Sequence, residues 1–214
     1  MIKSLLTLLY LIVISTDLYA NENYITLKEF KNNSDNKIIF MRHSHAPGYG
    51  DPKNFNLNDC SKQRNLDKRG IEQSRIIGNS FKENDIFFTK IFSSFWCRCK
   101  DTAFYLNIGD YISHQGLNSF YEGHVDKDQT LEELNRLINS LKSDKGPYLM
   151  VTHYVVVQAM SELSVSSGGM VVYDMISKKS KYCSAKDNID SLEKSILWSL
   201  TKFKSELIGT LKSS

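Results

Sequence analysis

The sequence predicts an α/β domain of three layers, with helices on both faces of a mostly parallel central sheet. Three observations carry that expectation. An unbroken apolar run at Ile38 to Met41 is typical of a strand buried on both faces, and 89–93 (TKIFS) and 148–152 (YLMVT) read as further strands. Between them lie segments with apolar residues three and four apart, the spacing of an amphipathic helix. Strands that alternate with helices in this way build parallel sheets.

The 214 residues suit one domain with a single core. Charged residues at 24% and apolar residues at 41% are ordinary for a globular chain. The net charge of +3, without a block of basic residues, argues against a nucleic-acid surface. The short cluster Lys178-Lys179-Ser180-Lys181 reads as a solvated turn.

Residues 1–20 read as a targeting segment. Lys3 supplies a basic start, Leu5 to Ile14 an apolar run, and Ala20 a cleavage point. That run is too short for a spanning helix, which needs about 20 residues, and no cysteine follows it to carry a lipid. The expectation is an exported, periplasmic protein without a stable membrane anchor. Export makes disulfides available to Cys60, Cys97, Cys99 and Cys183. Cys97 and Cys99 sit too close to bridge each other comfortably, so Cys60 is expected to pair with one of them. The cysteines and histidines do not fall at zinc-site spacings.

In order along the chain, 21–36 is a polar lead into the first strand, with Asn33 to Asn36 as a loop. The strand from Lys37 runs into Arg42 and His43, and Ala46-Pro47-Gly48 cannot continue it. A loop over 44–64 follows, long enough to suggest function and placed to wall a pocket. A helix is expected from 65–67 to about Glu83, with Asn65 or Asp67 as its cap. Its face of Gly70, Ser74, Ile77, Gly78 and Phe81 would let it approach the sheet closely. After the second strand, Arg98 stands at the junction with a short helix over 99–106, beside amides that favour anions. Residues 111–120 are ambiguous, part strand and part loop. A helix is expected at 129–142, a strand at 148–152 ending in His153, a helix at 155–163 and a strand at 170–173. The folded domain is expected to cover 21–190. Residues 191–214 read as an amphipathic helix packed on that domain or extending it.

Three strands thus deliver Arg42-His43, Arg98 and His153 to what can be one edge of the sheet, where ligands bind in open α/β folds. Guanidinium forks match phosphate oxygens two at a time. The segments FMRHSHAPGYGDP, CSKQRNLDKRGIEQSRIIG, IFSSFWCRCKDTA, LNSFYEG, LMVTHYVVVQAM and GGMVVY, from Lys37 to Asp174, resemble the histidine phosphatase superfamily, the phosphoglycerate-mutase-like fold, in an exported bacterial branch. The resemblance implies a histidine phosphatase domain with a nucleophilic histidine at His43. It also implies a phosphoryl group held by Arg42, Arg98 and His153, and an acidic proton donor between Arg98 and His153. Among Asp101, Asp110, Glu122, Asp126 and Asp128, the loop position of Glu122 makes it the expected donor. Arg64 is a lesser candidate for the phosphate, and His45 and His124 for the pocket entrance.

The expected activity is a phosphomonoester phosphatase with a phosphohistidine intermediate, in which His43 attacks phosphorus and one carboxyl group serves both half-reactions. That chemistry needs no metal and no other cofactor. The expected partner is a small phosphorylated molecule, with the oligomeric state left open. Ser44, Phe95 and Tyr154 stand where the family commonly has Gly, Pro and Gly, which bears on pocket shape. The alternative is a phosphate-binding scaffold that has lost turnover, with Ser44 or Tyr154 crowding the site.

Overall fold

A seven-stranded sheet organises the chain, in the order β1-β7-β6-β2-β5-β3-β4. The computed structural model describes residues 23–185. The expected targeting segment at 1–20 and the C-terminal helix at 191–214 lie outside the described residues. The strands are β1 (Tyr24–Thr26), β2 (Lys37–Arg42), β3 (Lys90–Ser93), β4 (Tyr111–Ser113), β5 (Tyr148–Thr152), β6 (Met170–Asp174) and β7 (Ser180–Ser184). The helices are α1 (Leu27–Asn32), α2 (Lys68–Glu83), α3 (Cys97–Leu106), α4 (Lys127–Ser140) and α5 (Tyr154–Ser161). β6 alone runs against the other strands, pairing antiparallel with β2 and β7.

The apolar run in β2 is explained by burial on both faces. Ile39 and Met41 join one core with Leu27 and Phe30 of α1, Ile77 and Phe81 of α2, and Cys99, Ala103 and Leu106 of α3. Ile38 and Phe40 join the other, with Leu134 and Ile138 of α4 and Val156 and Val157 of α5. Successive strand side chains point to opposite faces, so four consecutive apolar residues fill both cores. Each such side chain contributes roughly 1.5–3 kcal/mol when fully buried. This is the three-layer arrangement read from the sequence.

The helix caps follow local chemistry. Asp67 caps α2 through the Gly70 amide, and Asp126 caps α4 through the Gln129 amide. The buried face of α2 is Gly70, Ser74, Ile77, Gly78 and Phe81, as expected, but its glycines serve other neighbours than the sheet. A Cβ on Gly70 would lie 2.0 Å from the His45 carbonyl oxygen, and one on Gly78 would lie 1.9 Å from that of Leu106. The helix therefore meets the loop after β2 and helix α3 at backbone distance.

Two expectations need correction. Residues 21–36 hold β1 and α1, not a plain polar lead, and Thr26 with Glu29 forms a complete capping box at their junction. The segment around Lys178 to Lys181 is a turn that continues into β7. β7 supports β1 in parallel, with the Tyr24 and Tyr182 rings stacked at 5.0 Å. The ambiguous stretch 111–120 resolves into β4 and a short 3-10 turn at Gln115–Leu117.

Candidate active site

The carboxyl ends of β2, β3 and β5, which are adjacent and parallel, open onto one cavity of about 500 Å³. Arg42, His43, Arg98 and His153 all line it, together with Arg64. The backbone fixes the strand ends. The His43 amide donates to the Thr152 carbonyl at 2.9 Å, and the Gly168 amide reaches the carbonyls of Arg42 and His43.

His43 is buried and its Nδ1 lies 2.8 Å from the Ser44 carbonyl oxygen. A carbonyl only accepts, so Nδ1 carries the hydrogen and the lone pair resides on Nε2. Burial pushes this imidazole well below its usual pKa, and Arg98, Arg64 and Arg42 push the same way against the Ser44 carbonyl. The ring is held neutral, as a nucleophile must be.

His153 is locked through a longer chain. The Phe95 amide donates to Asn118 Oδ1 at 3.0 Å, which fixes the orientation of that side-chain amide. Ser94 Oγ then donates to the same oxygen at 3.2 Å, leaving its own lone pairs for the Trp96 amide and for His153 Nε2 at 2.9 Å. His153 Nε2 therefore carries a hydrogen, and Nδ1 is the nitrogen free for a ligand. Burial, then Arg98 and His43, lowers its pKa well below the usual value. The two imidazoles meet edge to face, with centroids 5.5 Å apart.

Arg98 sits in the first turn of α3 and is buried, and its two Nη atoms grip Asp51 Oδ1 and Oδ2 at 2.8 and 3.1 Å. Trp96 Nε1 and the Arg64 amide also donate to that carboxylate. Burial alone would raise the Asp51 pKa, but these donors outweigh it and hold the carboxyl below its usual value. Arg42 Nη1 donates to the Val165 carbonyl, and its guanidinium lies 5.7 Å from the centroid of the Tyr154 ring. Arg64 Nε donates to the Gly50 carbonyl and a second nitrogen to that of Ala46, which shapes the loop 46–50 around the guanidinium.

Two donors are left over. The Nε atoms of Arg42 and of Arg98 are buried without a hydrogen-bond partner. A buried unsatisfied N–H on a charged group is costly, and here both belong to guanidiniums lining the same cavity. Arg42, Arg64 and Arg98 are balanced there by one carboxylate, Asp51. The surplus positive charge and unpaired donors define an oxyanion site.

Glu122, the expected proton donor, is placed beside this cavity and not among its lining residues. It adopts φ 64° in the turn Tyr121–Gly123, and its Oε2 accepts from the Asp51 amide at 3.0 Å. Gly50 lies directly beneath its carboxylate, and His124 Nε2 is 3.6 Å away. The carboxylate serves the pocket loop and is not part of the cavity lining. With His124 and Asp51 it forms a set of donor atoms within 4.8 Å of one another. Both Asp51 oxygens are already engaged by Arg98, so the set is poorly suited to a metal. Asp101 belongs to α3 and Asp126 caps α4, so neither enters the cavity.

The sequence reading missed Asp51 and Trp96, whose roles rest on contacts across the fold. It anticipated a bridge from Cys60, which is made to Cys97 with Sγ atoms 1.98 Å apart. That bond ties the pocket loop to the residue preceding Arg98. Cys99 is buried with its thiol pushed up to about 12 by burial, which keeps it an inert neighbour of His153.

Three parallel strand ends thus deliver a cluster of guanidiniums to one cavity of an α/β protein, beside a buried histidine. The architecture is the phosphoglycerate-mutase-like fold. An Escherichia coli K-12 structure assigned as an alpha-ribazole-5'-P phosphatase is similar to this chain at TM-score 0.51 and 14% identity, over 68% of this chain and 94% of that one. The protein histidine phosphatase SixA, complexed with tungstate, matches at TM-score 0.48 and 16% identity, over 68% and 93% of the two chains. A phosphoglycerate mutase from Thermus thermophilus matches at 0.46 and 16%, over 64% and 92%. No protein-family model matches the sequence, and no curated protein sequence does.

Proposed function

We propose that the protein is an exported phosphomonoester phosphatase that works without a metal, through a phosphohistidine on His43. The observation that carries this reading is the pair of orphaned guanidinium Nε–H groups beside a neutral imidazole whose Nδ1 is tied back. In the proposed reaction, the phosphoryl oxygens take up those donors, and His153 takes up a proton on Nδ1 as the anion binds, so that Nδ1–H donates to a further oxygen. His43 Nε2 attacks phosphorus and the ester oxygen leaves. Water then displaces His43, returning the electron pair of the P–N bond to Nε2. Charge on the equatorial oxygens is met by Arg42, Arg98 and His153, the electrostatic help that phosphoryl transfer mainly needs.

Against the scaffold alternative stand the positions of the two unusual residues. Ser44 is fully buried with its hydroxyl against Ser74, and its amide donates to Thr102. It turns away from the cavity, so it does not crowd the site. Tyr154 stands at the rim with its hydroxyl against Ser164, where it bounds the mouth without filling it. Export is supported by the Cys60–Cys97 bridge, a bond favoured in oxidising compartments. Among the described residues, no helix is long and apolar enough to cross a membrane.

The test is phosphate release from p-nitrophenyl phosphate and from a panel of alkyl phosphates, with and without EDTA. Turnover unaffected by the chelator is expected. Turnover that disappears with EDTA and returns with a divalent ion overturns the metal-free mechanism.

A further inference from the structure

Displacement of an alkoxide needs a proton, and activation of water needs a base. The residues lining the cavity include no carboxylate. Its arginines stay protonated and cannot exchange a proton near neutrality. His43 is committed to phosphorus in the proposed reaction, and His153 gives its Nε2 hydrogen to Ser94. Of the tyrosines, Tyr49 is fully exposed, Tyr121 is 53% exposed, and the Tyr154 hydroxyl is paired with Ser164. His45 is different. It lines the cavity, two residues beyond His43, so their Cα atoms are at most about 7 Å apart.

His45 is also held from every side. Its amide donates to Gln73 Oε1 at 2.9 Å, and Gln73 Nε2 in turn donates to the Ser167 carbonyl at the cavity wall. Its carbonyl lies against the bare Cα of Gly70. Its ring Nδ1 is 3.1 Å from Asp67 Oδ1, the same oxygen that caps α2 through the Gly70 amide at 2.8 Å. Hydrogen bonds from His45 and from that amide hold the Asp67 carboxyl below its usual pKa. An ionised carboxylate accepts, so Nδ1 carries a hydrogen. Nε2, which makes no hydrogen bond among the described residues, is the atom left for the cavity. A carboxylate that sets the tautomer of an imidazole next to a nucleophile is a recurrent acid–base device.

We propose that His45 is the acid–base residue of the reaction, with Asp67 as its positioning residue. This rests on the phosphatase reading above. In the first half-reaction His43 Nε2 bonds to phosphorus, the ester P–O bond breaks, and the alkoxide takes the proton from His45 Nε2. In the second, neutral His45 takes a proton from water, the water oxygen bonds to phosphorus, and the P–N bond breaks. The sum is one ester and one water converted to an alcohol and inorganic phosphate, with His45 protonated again.

The test compares His45→Gln, His45→Ala, Asp67→Asn, Glu122→Gln and His43→Ala, each checked for folding by near-UV circular dichroism. His45→Gln is expected to lose about 100-fold or more in kcat/KM on an alkyl phosphate. On p-nitrophenyl phosphate it is expected to keep a burst of nitrophenol, followed by slow turnover and accumulation of label on His43. Asp67→Asn should show the same pattern more weakly, and added imidazole should restore turnover to His45→Ala. Equal loss on both substrates with no accumulated label, or wild-type behaviour of His45→Gln, overturns the assignment. A leaving-group-selective loss in Glu122→Gln instead returns the role to that carboxylate. Failure of the phosphatase reading is seen separately, as absence of label from wild type or its persistence in His43→Ala.

Discussion

Arg98 and Asp51 form a two-pronged ion pair in which both side chains are almost fully buried, at 4% and 3% exposure. The pair spans from the pocket loop to the first turn of α3. It engages both Nη atoms and leaves Nε buried without a partner. Removing one partner strands the other charge in a dry site. Asp51→Ala is therefore expected to cost roughly 3–5 kcal/mol of unfolding free energy, read as a lower urea midpoint at unchanged slope. A change under about 1 kcal/mol contradicts the structural role given to this carboxylate.

His43 and His153 make stability depend on pH. Both have folded-state pKa values well below the usual histidine value, mainly through burial. Burial shifts His114 in the same direction. As pH falls through about 6.5 the unfolded chain takes up protons that the native state refuses. Stability is thus fully present above that pH and lost below it, by at most about 1.4 kcal/mol per pH unit for each group. The urea midpoint should fall as pH drops from neutrality to mildly acidic, and saturating orthovanadate should blunt the fall, since a bound anion favours the protonated rings. A flat profile over that range excludes the burial of neutral imidazoles.

The Ser94 and Asn118 network sets the His153 tautomer at a distance from the ligand. Ser94→Ala removes the acceptor for Nε2–H and frees the ring to place either nitrogen toward the cavity. Orthovanadate affinity is expected to drop about 10-fold, equivalent to one hydrogen bond of about 1.4 kcal/mol. Isothermal titration calorimetry reads it directly. Unchanged affinity separates His153 from the anion site.

Much of this site was legible because its cationic residues follow locally readable strands. Ile38 to Met41 announces a buried strand by its apolar run, and TKIFS and YLMVT by their β-branched and aromatic residues, so the residues ending them could be placed on one sheet edge. What was not legible are partnerships set by packing between distant segments. Asp51 looks like any loop aspartate until α3 brings Arg98 against it 47 residues later. Glu122 reads as a pocket carboxylate from its loop position, while its left-handed backbone and its bond to the Asp51 amide, which set where the carboxylate lies, leave no mark in the sequence. β7 was hidden because a short, mostly polar strand gains its stability from pairing with β1 and β6, not from its own pattern. The Thr26 and Glu29 capping box was a local signal for α1, visible in the sequence as T-L-K-E.

The Cys60–Cys97 bond closes a segment of sequence separation 37. On the chain-entropy estimate it stabilises by about 4 kcal/mol. Because it anchors the loop that carries Asp51, the paired Cys60→Ser, Cys97→Ser variant should lose both stability and orthovanadate affinity. Thermal unfolding together with titration measures the two effects. Loss of stability alone confines the bridge to a structural role. Four free thiols in protein recovered from the periplasm contradict the bridge itself.

The central claim is that His43 carries the phosphoryl group. Wild-type protein is mixed with a radiolabelled aryl phosphate, quenched in alkali within milliseconds, digested, and the labelled peptide sequenced. The account predicts acid-labile, base-stable label on the peptide containing His43, turning over at the rate of phosphate release and absent from His43→Ala. Hydrolysis at full rate with no label on His43, or with label on another residue, contradicts it.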